Sequence, residues 1–277
     1  MKNEDSGSDY FASMTDMMIG ILFIFVIMIA FFAFQINTTD AVPRAVHDPV
    51  VEENKRLKAL IDQLEKPNPL ETYLTKGQEV RNGIVSSAIK LLKEKGVDAR
   101  SVKQGVITIS GKGLFGSGRS DLDSVLGARD KVNTIAETLE SQVACFAVSE
   151  EALVTDDTCN PDRIFVEAVF IEGHTDNIPV STTLLDGSTS NLELSARRAT
   201  NTYQQVVLER PFLTKLKNPF GQQALSAAAY GEQRPIADNK LRQGREDNRR
   251  IDIRLVMHVP QSIDALEKLH VKHGVRK

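Results

Sequence analysis

From Met17 to Phe34 the chain reads MMIGILFIFVIMIAFFAF, a run without a single polar side chain. Extended back to Phe11, a helix over this stretch is about 36 Å long, enough to cross a bilayer core of about 30 Å with some tilt. A cleaved signal peptide needs a basic start, a shorter apolar core and a small-residue cleavage site. Here the leading MKNEDSGSDY is acidic, no A-x-A follows, and the two cysteines, Cys145 and Cys159, lie far from any lipoprotein position. The expectation is a tail over 1–10 and a retained transmembrane helix over 11–36.

Arg44, Lys55 and Arg56 follow the run while Lys2 alone precedes it, so the positive-inside rule by itself mildly favours a cytoplasmic C-terminal part. The cysteines argue the other way. They flank the polar stretch CFAVSEEALVTDDTC, and a disulfide there would close a loop worth about 3 kcal/mol in an oxidising compartment. Two unpaired thiols remain the other reading. Lys plus Arg number 34 against 37 Asp plus Glu, which leaves no electrostatic footprint for nucleic acid.

A linker over 37–68 carries Val50, Asn54, Leu57, Ile61 and Leu64 at alternating spacings of four and three. That is a short heptad seam with Asn54 at an a-type position, which favours a two-stranded coiled coil. An amphipathic helix against a neighbouring domain fits the pattern as well. A helical segment is expected over 69–101, with Val80, Ile84, Val85, Ala88, Leu91 and Leu92 on one face. A domain over 102–259 follows, and a short, solvated tail over 260–277. Within the domain, VITIS (106–110), FVEAVFIEG (165–173), 225–230 and RIDIRLVMH (250–258) read as strands, and 121–139 and 192–208 as helices. The fold class is thus a single transmembrane helix, a short coiled-coil linker and an α/β sandwich with a mixed four-stranded sheet.

GKGLFG follows a strand and matches G-x-G-x-x-G, but GSGRS intervenes before any helix, so helix amides could not meet a pyrophosphate. His174 and Asp176 in GHTD have no partners at metal-ligand spacing, and no serine or cysteine is placed as a nucleophile. Neither an enzyme nor a metal or cofactor site is expected.

The joint pattern FIEGHTDN, NLELSARRA, AAYGEQRPIADN and NRRIDIRL resembles the peptidoglycan-binding domain of the OmpA-like family, over roughly 102–257. The resemblance implies a cleft for the diaminopimelate of the cell-wall stem peptide. Asp176 would meet the ammonium and Arg198 the carboxylate, with Asn191 and Arg249 framing the cleft; a carboxylate and a guanidinium fork suit a zwitterion. The loop 177–190 is longer than the family's usual one.

Asp16 lies about one turn inside the apolar run. Ser13-x-x-Asp16 is a capping box, a sufficient local reason for an acid there. Yet a carboxylate at bilayer depth costs about 2.5–3.5 kcal/mol and commonly serves an ion path. The whole arrangement resembles the B subunits of ion-driven stator units, the class of flagellar MotB and of ZorB from Zorya anti-phage systems. That resemblance implies a homodimer within a MotA- or ZorA-like ring of five copies, anchored to peptidoglycan outside the bacterial inner membrane, with H+ or Na+ passing by Asp16. Ala12 stands where flagellar MotB carries its acid, so Asp16 sits a turn deeper. With the absent tryptophan and the cysteine-bearing insert, this favours the ZorB-like reading.

Overall fold

The computed structural model describes residues 6–39, 44–65, 67–149 and 158–272. Two compact units divide the chain, Met1–Pro67 and Asn68–Lys277.

The first unit holds two helices, α1 (Ser6–Thr39) and α2 (Arg44–Glu65). Met14–Ile36 of α1 has a mean hydropathy of 3.0 and is long and apolar enough to cross a membrane. In α2, Val50, Leu57 and Ile61 are about half exposed. Asn54 turns its amide back onto the Val50 carbonyl at 2.9 Å.

In the second unit, α3 (Pro69–Glu94) starts at Asn68, whose side chain accepts from the Leu70 amide, with Pro69 in the first turn. It stops where Gly96 adopts φ +79°. The chain then forms β1 (Ala99–Arg100), β2 (Val106–Ser110), α4 (Ala128–Val143), β3 (Val166–His174), α5 (Asn191–Glu209), β4 (Leu225–Gly231), α6 (Arg242–Asn248), β5 (Arg250–Met257) and α7 (Ile263–Lys272). The sheet order is β1-β2-β5-β3-β4, with β3 and β4 parallel and the other pairs antiparallel. The four expected strands are present, and a two-residue edge strand joins them.

Alternation along the strands sends Ile107, Ile109, Val169, Ile171, Ile251, Ile253 and Leu255 to one face, where they pack with residues of α3, α4 and α5. Three expectations are corrected here. The helical segment placed ahead of the domain belongs to it, because Tyr73, Ile84, Val85, Ala88 and Leu92 of α3 are buried in the same core. The solvated tail is instead α7, which sinks Leu266 and Leu269 into that core. The helix expected from 121 begins only at Ala128, after a short turn at Leu122–Ser124 and Gly127 at φ +75°. Cys145 and Cys159 are bonded, with Cα atoms 6.1 Å apart.

One glycine governs how the layers meet. A Cβ on Gly173 would lie 2.1 Å from the Ser195 carbonyl oxygen, so β3 and α5 touch backbone to backbone. Gly173→Ala is expected to destabilise this unit by about 3 kcal/mol, the upper range for overpacking, read as a lowered urea midpoint at unchanged m-value.

Candidate functional site

The end of β3, the end of β4, the first turns of α5 and the start of β5 converge. Thr175 N donates to the Gly231 carbonyl and Gly231 N to Ser195 Oγ, both at 2.9 Å. Ser190 caps α5, its hydroxyl accepting from Glu193 N, while Glu193 accepts from Thr189 N. These contacts bring Asp176, Asn191, Arg198 and Arg249 together at one end of the sheet.

Arg198 is 4% exposed. Its Nε donates to the Arg119 carbonyl at 2.9 Å and its Nη2 to that of Gly116 at 3.1 Å. The guanidinium also lies 5.2 Å from the Phe115 ring centroid. Among the described residues no carboxylate forms an ion pair with it. Burial, then the nearby Arg249 charge, push its pKa down to about 10 despite Asp186 and Asp176.

Asp176 is buried, and each of its oxygens has a partner. Oδ1 accepts from Ile178 N at 3.2 Å and Oδ2 pairs with Arg249 Nη1. The guanidinium of Arg249 thus shares the carboxylate on which a ligand ammonium is expected, and each oxygen keeps a second lone pair. Asn191 donates to the Ile178 carbonyl at 2.9 Å and also to Glu232, which ties the long loop to the start of α5. The four residues singled out in the sequence therefore share one site, while Asp16 lies in the other unit, exposed on α1.

Two contributors were not read from the sequence. The GKGLFG stretch supplies the floor: it forms a 3-10 turn, buries Leu114 and Phe115, and its Leu114 and Phe115 amides donate to the Gly111 carbonyl rather than outward. The other is the turn Leu184–Ser188, held by Leu184 N to the Ser188 carbonyl and Gly187 N to that of Leu184, each 2.9 Å. Its Asp186-Gly187 pair was the available signal, since such a pair marks a tight turn.

Beside these residues, the sheet face turned away from the core carries a row of charge. Thr108, Asp252 and Glu172 stand in register across β2, β5 and β3. Thr108 and Arg250 donate to Asp252 at 2.7 and 2.9 Å, and Arg254 grips Glu172 with two bonds of 2.8 Å. His174 stacks on Tyr230 with ring centroids 5.4 Å apart. Its Nε2 is 3.2 Å from Asp252 Oδ2 but out of line for a good hydrogen bond. Glu172, His174 and Asp252 bring ligand atoms within 4.8 Å of one another. A cation there would face two fixed guanidinium groups already neutralising the carboxylates, so the trio reads as structural.

Burial holds the His174 pKa below its ordinary 6.5, against the raising effect of Asp252. A depressed histidine contributes stability that is full above 6.5 and is lost as pH falls toward the folded value. The stability difference between wild type and His174→Gln should therefore shrink or reverse between pH 7.5 and 5.5, approaching a slope of about 1.4 kcal/mol per pH unit. Urea midpoints of both proteins at each pH test it, and using the difference removes the parallel contribution of His270, whose pKa is also lowered by burial and Arg163.

No family model matches the chain. It is 36% identical to Motility protein B of Bacillus subtilis (strain 168) over 94 residues, which is 34% of this chain and 30% of that protein. The chain thus spans less than a third of that relative's length. It is 25% identical to the uncharacterised protein YtxE of the same organism over 257 residues, 91% of this chain and 90% of that one. Among solved structures, a putative MotB-like protein from Desulfovibrio vulgaris aligns with TM-score 0.45 and 18% identity, over 71% of this chain and 99% of that one. The chain is similar to MotB-type proteins.

Proposed function

We propose that this chain is the B-type subunit of an ion-driven motor complex in the bacterial inner membrane: two copies span the membrane through α1 inside a ring of partner subunits and hold peptidoglycan through the second unit. The observation that carries the wall-binding half is Arg198, a buried guanidinium with protein carbonyls on two of its nitrogens and no carboxylate of its own. An uncompensated buried cation is costly; a ligand carboxylate would compensate it. The site's paired acidic and basic groups suit an amino-acid zwitterion, and free zwitterionic centres occur on peptidoglycan stems. Support for the membrane half comes from the apolar span of Met14–Ile36 and from the placement of Asp16 within it.

The finer reading is a Zorya-type defence motor, supported by the deeper Asp16 and the disulfide-bearing insert. A motility role is the second reading, favoured by the match to Motility protein B.

Two experiments test the halves separately. In sedimentation with purified peptidoglycan, Arg198→Ala should lose about ten- to a hundredfold in affinity, as expected for removing charged hydrogen bonds. Wild-type binding by that variant would sink the wall-site assignment. In cells carrying the native gene cluster, Asp16→Asn should abolish phage protection (or swimming, under the second reading) while leaving peptidoglycan sedimentation unchanged. Full activity in that variant would make the protein a passive tether.

A further inference from the structure

A cavity of about 310 Å³ lies between α4 and α5. Its size is that of the smallest ligand pockets, about 300 Å³, room for a single ring rather than a peptide. One stretch of backbone joins it to Arg198. The carbonyls of Gly116 and Arg119 hold Arg198. The next carbonyl, that of Ser120, accepts from Asn201 Nδ2 at 2.8 Å, and Asp121 and Leu122 then line the cavity. Along α5, Arg198, Asn201 and Gln205 follow one another at helical spacing, so the wall at Gln205 stands about 10 Å further along the helix than Arg198.

The charges in this wall cancel. Arg119 Nε donates to Asp121 Oδ2 at 2.9 Å, and Asp123 takes Nε and Nη2 of Arg129 at 2.6 and 2.7 Å. Arg129 Nη1 donates to Gln205 Oε1 at 2.6 Å, and Gln205 Nε2 donates to Asn133. A charged ligand would find no uncompensated partner here. What the wall offers instead is spare hydrogen-bonding capacity. Among the described residues no hydrogen bond occupies the Gln204 amide, Asn201 Oδ1 or Asp121 Oδ1. Leu208, 73% exposed, adds an apolar patch beside them. Amide groups donate and accept at once, which suits neighbouring hydroxyls and an acetamido group. Covering Leu208 with the C–H face of a ring removes apolar surface from water.

We propose that this cavity is a glycan subsite, taking one N-acetylated hexosamine of the peptidoglycan strand while Arg198 holds a carboxylate of the attached stem peptide. The assignment rests on the peptidoglycan-binding reading and adds a second point of contact to it. Two amino acids and a lactyl group lie between the sugar and a diaminopimelate in the third stem position, a reach of about 10 Å when extended. That reach matches the advance along α5. The carboxyl of the lactyl group is consumed in the link to the stem, so the ring presented to the cavity is neutral, as the balanced wall requires. Contacts at both places also reinforce each other, because the second forms at high effective concentration once the first is made.

The test is calorimetry on the full-length chain in detergent with two probes: a disaccharide–tripeptide ending in diaminopimelate, and the same tripeptide without sugar. Wild type should bind the first at least tenfold tighter than the second. Gln204→Ala combined with Leu208→Ala removes two exposed side chains and should erase that gain with the unfolding midpoint unchanged. Arg198→Ala should weaken the binding of both probes. Equal affinity of wild type for the two probes, or a gain that survives the double variant, overturns the glycan subsite and leaves the stem-peptide site standing. If wild type binds neither probe, the peptidoglycan reading fails and takes the subsite with it.

Discussion

The pairing of β3 with β5 is the constraint on which the site depends. Glu172 faces Asp252 and His174 faces Arg250 across that ladder. The two carboxylates would repel each other in isolation. Arg254 and Arg250, on β5 itself, neutralise them, and Thr108 fills a remaining lone pair from β2. A slip of one residue would turn this charge into the apolar core and the core isoleucines outward, so the register has no near competitor. Register then sets the candidate site, because Asp176 lies two residues beyond the end of β3 and Arg249 immediately precedes β5. Their ion pair is a consequence of the ladder.

The second constraint is the approach of α5 to the sheet. With no Cβ at Gly173, the carbonyl of Ser195 can enter the space beside β3, and the Ser195 hydroxyl takes the amide of Gly231 at the end of β4. One turn further along α5, Arg198 is driven under the loop that carries Gly116 and Arg119. Ser195 and Arg198 share the buried stripe of α5, so the packing that seats Ser195 against β3 also carries Arg198 inward. A longer helix–sheet distance would leave the same arginine in solvent, where it could not be held against the carbonyls of Gly116 and Arg119.

Much of this was legible in the sequence because it is periodic. The alternation in 250–258 and 165–173 marks strands and faces without reference to anything distant; GHTD and NRRID lie at their ends, and SARRA lies in the first turns of α5. What was not legible depends on contacts between remote segments. Nothing in residues 263–272 says that Leu266 and Leu269 will find the core, since a two-leucine stripe is too short to distinguish a docked helix from a solvated tail. Spacing alone sets Gly111 to Gly116 aside as a phosphate loop, but nothing local says that its Phe115 ring and Gly116 carbonyl will meet Arg198.

The burial of Arg198 also determines how such a site would hold its ligand. A surface arginine offers a ligand carboxylate an interaction that salt screens and that must first give up water. Arg198 is already stripped of water by folding, and its position is fixed by two carbonyls and an aromatic face. The cost of desolvating it is met in the folded state, so an arriving carboxylate gains the attraction without dehydrating the cation. Carbonyls polarise the guanidinium but do not neutralise it, which leaves its charge available. Under the proposed wall-binding role, a buried and preorganised cation would act on the release rate of a bound carboxylate more than on its capture.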